Sequence, residues 1–131
     1  MEQRRHNPWT WQNQFGFSHG IEVSGASRIL YCAGQISTDA EGKPLHVGDM
    51  RGQVEQAMQN LATVLKTAGY TLGDVVRLNF YTTDMEQFHA ANDIIVSHLA
   101  KVGNQPSSTL LGVAKLAFPE ALVEIEATAM K

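Results

Sequence analysis

Ala121-Leu122-Val123-Glu124-Ile125-Glu126-Ala127-Thr128-Ala129-Met130 is the stretch from which the fold can be read. Side chains alternate across a strand, so Val123, Ile125, Ala127 and Ala129 make one apolar side while Leu122, Glu124, Glu126 and Thr128 make the other. Such a strand keeps one side in a core and turns the other toward water or another protein. The cover for the core side lies in the middle of the chain. From Asp49 to Ala68 the residues Val54, Ala57, Met58, Leu61, Val64, Leu65 and Ala68 recur at the spacing of an amphipathic helix, and Gly69 follows as its stop. A second helix is predicted from Asp84, whose carboxylate can cap the first free N–H groups while Gln87 reaches back. Phe88, Ala91, Ile95 and Leu99 form its buried stripe, and it ends near Gly103.

Between the helices, Val75 to Thr83 reads as a strand with Val76, Leu78 and Phe80 on its apolar side. Ser108 to Leu116 reads as another, separated from the last strand by a turn at Phe118-Pro119-Glu120. Upstream, Phe15 to Val23 and Arg28 to Ile36 are predicted to form a hairpin about Ser24-Gly25-Ala26-Ser27, preceded by an extended segment over residues 1–14. The resulting order, β-β-α-β-α-β-β, predicts an α/β (α+β) fold: one mixed sheet with two helices on one face, in a single domain spanning 1–131. Two helices cover one face only. The opposite face, with its mixture of bulk and charge, is expected to be an oligomer interface.

A chain of 131 residues has the size of one domain, and 44% hydrophobic against 18% charged residues excludes a disordered or low-complexity protein. The net charge of −3 gives no general attraction to nucleic acid or anionic lipid, and Arg4 and Arg5 read as a solvated tail. Cys32 is the single cysteine, which rules out an intrachain disulfide and two-cysteine metal motifs and fits a small core residue in a reducing cytoplasm. No apolar signal core follows Met1, and no stretch approaches the ~18 apolar residues of a membrane span. His6, His19, His46, His89 and His98 lack the spacing of a metal site, and no metal is expected. A phosphate loop, a nucleophile elbow and a dinucleotide fingerprint are all missing from the sequence.

Several short motifs recur in a fixed order. They are Gly34-Gln35-Ile36-Ser37, Gln53, Asn60-Leu61, Ala68-Gly69, Asp74-Val75-Val76, Tyr81-Thr82-Thr83-Asp84-Met85, Asn92, and Val123-Glu124-Ile125-Glu126-Ala127. In this spacing, from about Phe15 to Ala129, the chain resembles the Rid (YjgF) family, the reactive-intermediate deaminases. The resemblance implies a chorismate-mutase-like fold assembled as a homotrimer, with a small-molecule site in each cleft between subunits. It implies hydrolysis of enamine and imine intermediates such as 2-aminoacrylate, giving ammonia and a 2-oxo acid without metal or organic cofactor. That chemistry needs a substrate anchor, a placed water and a proton carrier.

By the resemblance, Glu124 is the catalytic residue that positions the attacking water. Gly34 lays its backbone close to the ligand, its alternative reading being close strand packing. Phe17 stands where the family has a tyrosine beside the pocket, keeping the ring without the hydroxyl. The family arginine that anchors the carboxylate follows the proline opening the strand by two residues; here that proline is Pro106 and the position is Ser108. A serine offers one neutral donor in place of a guanidinium fork, a loss of about 1.5–3 kcal/mol of anchoring. The expected substrate is therefore an enamine or imine other than 2-aminoacrylate; the alternative is a non-catalytic small-molecule-binding trimer. Ser108 and Thr109 are candidate ligand contacts or plain strand residues, and Arg77 and Lys115 are candidate replacement cations or solvated charges. Asn92, four residues after Phe88, is expected to be buried and to brace the site through its amide. Glu126 reads as a structural ion-pair partner, His19 as a residue near the pocket wall, and Trp9 and Trp11 as packing for the N-terminus. A ribonuclease reading finds little support in this charge balance.

Overall fold

The computed structural model describes residues 1–131. In chain order it contains β1 (Glu2–His6), a 3-10 turn at Trp11–Phe15, β2 (Gly20–Ser24), β3 (Ile29–Gln35), α1 (Met50–Thr67), a 3-10 turn at Leu72–Asp74, β4 (Val75–Thr82), α2 (Met85–Lys101), β5 (Ser107–Gly112) and β6 (Val123–Met130). β6 lies inside a four-stranded sheet of order β3-β6-β4-β5, antiparallel to both neighbours, while β4 and β5 run parallel. A parallel pair needs a crossover connection, and α2 supplies it. Alternation along β6 is borne out: Val123, Ile125, Ala127 and Ala129 are buried, and Glu124, Glu126 and Thr128 are half-buried on the other side.

Both helices begin at the expected aspartates. Asp49 accepts from the Gly52 N–H, and Asp84 from the Gln87 N–H at 3.0 Å. Gln87 does not reach the backbone at the cap; its amide donates to the Asp84 carboxylate at 2.8 Å. Gly69 ends α1 with φ +81°, a left-handed conformation that suits a residue without Cβ. α1 packs on β3 and β6 and against α2, and the Phe80 and Phe88 rings meet at 5.6 Å where α2 crosses β4. Cys32 belongs to this core, and burial pushes its thiol pKa up, away from a reactive thiolate.

The N-terminal third departs from expectation. β2 pairs with β1 in a separate two-stranded ribbon, register Gln3 to Val23, and not with β3, so the predicted hairpin is absent. The single sheet of the prediction is thus a four-stranded sheet plus a ribbon. Residues 1–14, expected to be extended and loose, form β1 and enter the Trp11–Phe15 turn. β1 is exposed throughout, so its ladder comes from backbone pairing, which leaves no apolar period to read. The strand predicted from Phe15 starts only at Gly20, because Gly16 at φ +76° closes the preceding turn. Strand β5 stops at Gly112, short of Leu116, once Val113 N–H has bonded to Thr82.

Gln53, almost fully buried on α1, fixes the approach to β6. Its amide donates to the carbonyls of His46 (3.1 Å) and Glu120 (3.0 Å), and its oxygen accepts from the Leu122 N–H (2.8 Å). A Gln53→Ala substitution strands these backbone groups and is expected to lower stability by about 2–4 kcal/mol, read as a lower urea midpoint with an unchanged slope.

Candidate functional site

The sheet face opposite the helices is uncovered and carries a row of polar side chains. On β4 these are Arg77, Asn79 and Tyr81; on β6 they are Glu124, Glu126 and Thr128, with Tyr81 opposite Glu124 and Asn79 opposite Glu126. Tyr31, exposed to 76%, and Ile29 add apolar surface along the β3 edge. The Glu126 carboxylate accepts from the Tyr81 hydroxyl and from the Asn79 amide at 3.1 Å. That bond to Glu126 is the main reason the Tyr81 phenol is held above its usual pKa. Glu126 is therefore a structural partner as expected, through hydrogen bonds and not through an ion pair.

Glu124 differs from its neighbour. It forms no hydrogen bond or ion pair within the chain, and its side chain lies over the backbone of Gly34. A Cβ placed on Gly34 would fall 2.0 Å from Glu124 Oε1 and 2.7 Å from its Cδ. Strict alternation along β3 would put Gly34 on the same side as Cys32, in the core. A register shift between Cys32 and Gln35 turns it to the open face instead. The two residues that the resemblance linked to water placement and to ligand approach are thus in contact.

Phe17, Asn92 and Ser108 lie on the far side of the sheet. A cavity of about 220 Å³ opens between α2 and the β4–β5 edge, with Phe17, Asn92, Pro106 and Ser108 among its walls. Asn92 corrects the expectation of a buried brace: it is half-buried, faces the cavity and makes no side-chain hydrogen bond in the chain. Ser108 and Thr109, read as a pair, are separated by alternation. Ser108 lies opposite Leu78 and faces the cavity, whereas Thr109 lies opposite Asn79 on the open face and accepts from Arg77 Nη2 at 2.6 Å. Arg77 is held there, about 13 Å along β4 at ordinary strand rise from Tyr81, the residue opposite Glu124 in the ladder. Lys115 is exposed in the loop before β6, away from the cavity. Neither cation takes the place left by Ser108.

Several features had no counterpart among the predicted site residues. Phe80, Phe88, Ile95 and Leu110 were legible as apolar positions, but the space they leave unfilled is not a property of periodicity. Near the cavity, His19 sits among Trp9, Trp11 and Phe17, with ring centroids at 5.0, 4.9 and 5.6 Å. Its Nε2 is buried without a partner. No group of three or more His, Cys, Asp or Glu side chains converges in the manner of a metal site. No helix is long and apolar enough to cross a membrane.

A mixed sheet with two helices on one face, a free carboxylate on the other and a cavity at its edge defines the class, an α+β protein of chorismate-mutase-like architecture. Residues 12–131 match the family described as Endoribonuclease L-PSP. A RutC family protein of Pyrococcus horikoshii is 32% identical over 81% of this chain and 82% of its own length. The chain belongs to this family, the Rid or YjgF family. Among solved structures it is similar to YyfB of Yersinia pestis, a Rid protein of unknown function, with 38% identity, full coverage of both chains and a TM-score of 0.88. It is also similar to RidA of the Antarctic bacterium Psychrobacter, with 28% identity over 88% of each chain and a TM-score of 0.71.

Proposed function

We propose that the chain is a hydrolytic deaminase of an enamine or imine intermediate other than 2-aminoacrylate, working in clefts between subunits of a cytoplasmic homotrimer. The observation that carries this reading is the Glu124 carboxylate, half-buried, free of any intrachain partner and seated over Gly34 on an uncovered sheet face. Within one chain the sheet itself stands between Glu124 and the cavity holding Phe17, Asn92 and Ser108. One protomer's Glu124 and Gly34 meeting a neighbour's cavity satisfies both halves of the site.

In such a cleft the substrate carbon of the C=N bond lies between cavity and carboxylate. Glu124 accepts a proton from water as the water oxygen bonds to that carbon, and the C=N electron pair moves to nitrogen, which takes up a proton from solvent. The carbinolamine then breaks its C–N bond. Ammonia leaves with a proton returned by Glu124, and the hydroxyl loses its own to solvent to become the carbonyl. Water is consumed and a ketone or 2-oxo acid and ammonia are formed, with no change of oxidation state and no need of a metal.

The test is ammonia release from enzymatically generated imines of varied side chain, both with and without a carboxylate. Acceleration of at least one imine, with 2-aminoacrylate a poor substrate, is expected; no acceleration across the series, nor after Ser108→Arg, removes the enzyme reading. A second reading, a non-catalytic trimer that binds a small molecule in the same cleft, is favoured by one observation, the absence of any Lys or Arg in the cavity. Ligand binding by a protein without turnover, unchanged in Glu124→Ala, is its signature. An endoribonuclease activity fits this face poorly, since its Arg77 is tied to Thr109 and the same face carries two carboxylates, a poor match for phosphate.

A further inference from the structure

We infer that the cavity under α2 takes the uncharged, preferably aromatic side chain of the ligand, together with a neutral hydrogen-bonding head group. This deepens the deaminase reading and rests on it for the identity of the ligand as substrate. The walls are mostly apolar: Phe17, Phe80, Phe88, Ile95, Leu99 and Leu110 supply most of them, no Lys, Arg, Asp or Glu lines the space, and the exposed His89 is its one titratable wall residue. The volume, about 220 Å³, exceeds the ~150 Å³ in which a dry engineered cavity holds a benzene ring. A ring and a short head therefore fit.

The ring faces favour an aryl guest. Phe80 and Phe88 stand tilted at 52°, and Phe17 is held edge-on to Trp11 at 5.8 Å, so a ligand ring can meet edges and faces in the offset arrangements that aromatic pairs prefer. Two neutral groups remain for the head. Ser107 Oγ donates to Val76 and Thr109 Oγ1 accepts from Arg77, whereas Ser108 between them has no side-chain partner in the chain, and neither has Asn92. A hydroxyl and an amide can together serve one donor and one acceptor of an amide, imine or enamine. A carboxylate placed between Ser108 and Asn92 loses its water and meets no Lys or Arg, a cost that the neutral head avoids.

Calorimetric titration of the intact protein with phenylacetamide, phenylacetate and acetamide tests this. Phenylacetamide is expected to bind about tenfold or more tightly than phenylacetate, and acetamide not measurably, because the anion is desolvated unpaired and the small amide leaves the walls empty. Ser108→Arg is expected to reverse the order of the first two ligands. Leu110→Trp, checked for folding by circular dichroism, is expected to abolish phenylacetamide binding by filling the space. Equal or tighter binding of phenylacetate by the parent, phenylacetamide binding untouched by Leu110→Trp, or no binding with a changed oligomeric state in Leu110→Trp overturns the inference; the last outcome means a second copy of the chain plugs the cavity. Failure of the deaminase reading is separate. Selective phenylacetamide binding without ammonia release from aryl imines sinks catalysis alone, while release from short-chain imines without phenylacetamide binding sinks the inference alone.

Discussion

A Glu124→Gln protein is expected to fold and assemble like its parent and to release ammonia about 10²–10⁴-fold more slowly, the range lost with a positioned acid–base group. Glutamine keeps the length and hydrogen-bonding reach of the side chain while removing the negative charge that accepts a proton from water. Glu124 has no partner in the chain to lose, so the change strands no buried group and folding is expected to be unaffected. Ligand affinity is expected to stay within a few-fold of the parent, because the apolar walls that hold the ligand are unchanged and glutamine keeps the reach of the side chain facing them. Kinetics and calorimetry on the same preparation check both halves; a parental rate in Glu124→Gln rules out its part in the chemistry.

Gly34→Ala is expected to cost about 10²-fold in turnover, the penalty of a ~1 Å misplacement of a catalytic group, with stability changed by no more than about 1 kcal/mol. The added Cβ would stand 2.0 Å from Glu124 Oε1, a contact that no real structure tolerates, and the yielding party is the far end of a flexible side chain. The carboxylate moves and the backbone stays. Gly34 has no positive φ, so close approach alone makes glycine necessary here. Because both substitutions act through one carboxylate, Gly34→Ala added to Glu124→Gln is expected to slow the enzyme no further. Additive losses in the double variant contradict this coupling.

How far these residues were legible from the chain differs from one to the next. Alternation placed Glu124 opposite the core face of β6 without ambiguity, because a period of two leaves a strand no third direction. The aspartate caps of α1 and α2 and their buried stripes were equally direct, each being a local pattern. Gly34 was not, since its side depends on the register shift after Cys32, which pairing with β6 decides and β3 alone does not encode. β1 escaped notice because a polar ribbon held by backbone hydrogen bonds carries no hydrophobic signal. Alternation also separates Ser108 from Thr109, read together as ligand contacts or plain strand residues, and the sheet between them means that one chain cannot present both to one ligand.

The central claim is that a working site takes its carboxylate from one subunit and its cavity from another. Co-expressing Glu124→Gln with Leu110→Trp, each inactive alone, and isolating the mixed oligomers measures it directly. Random assembly of clefts shared between neighbours gives both intact halves in about one site in four, so roughly a quarter of parental ammonia release per site is expected. A mixture no more active than its two parents would contradict it, because a site built within single chains, or without both halves, cannot be restored by exchange.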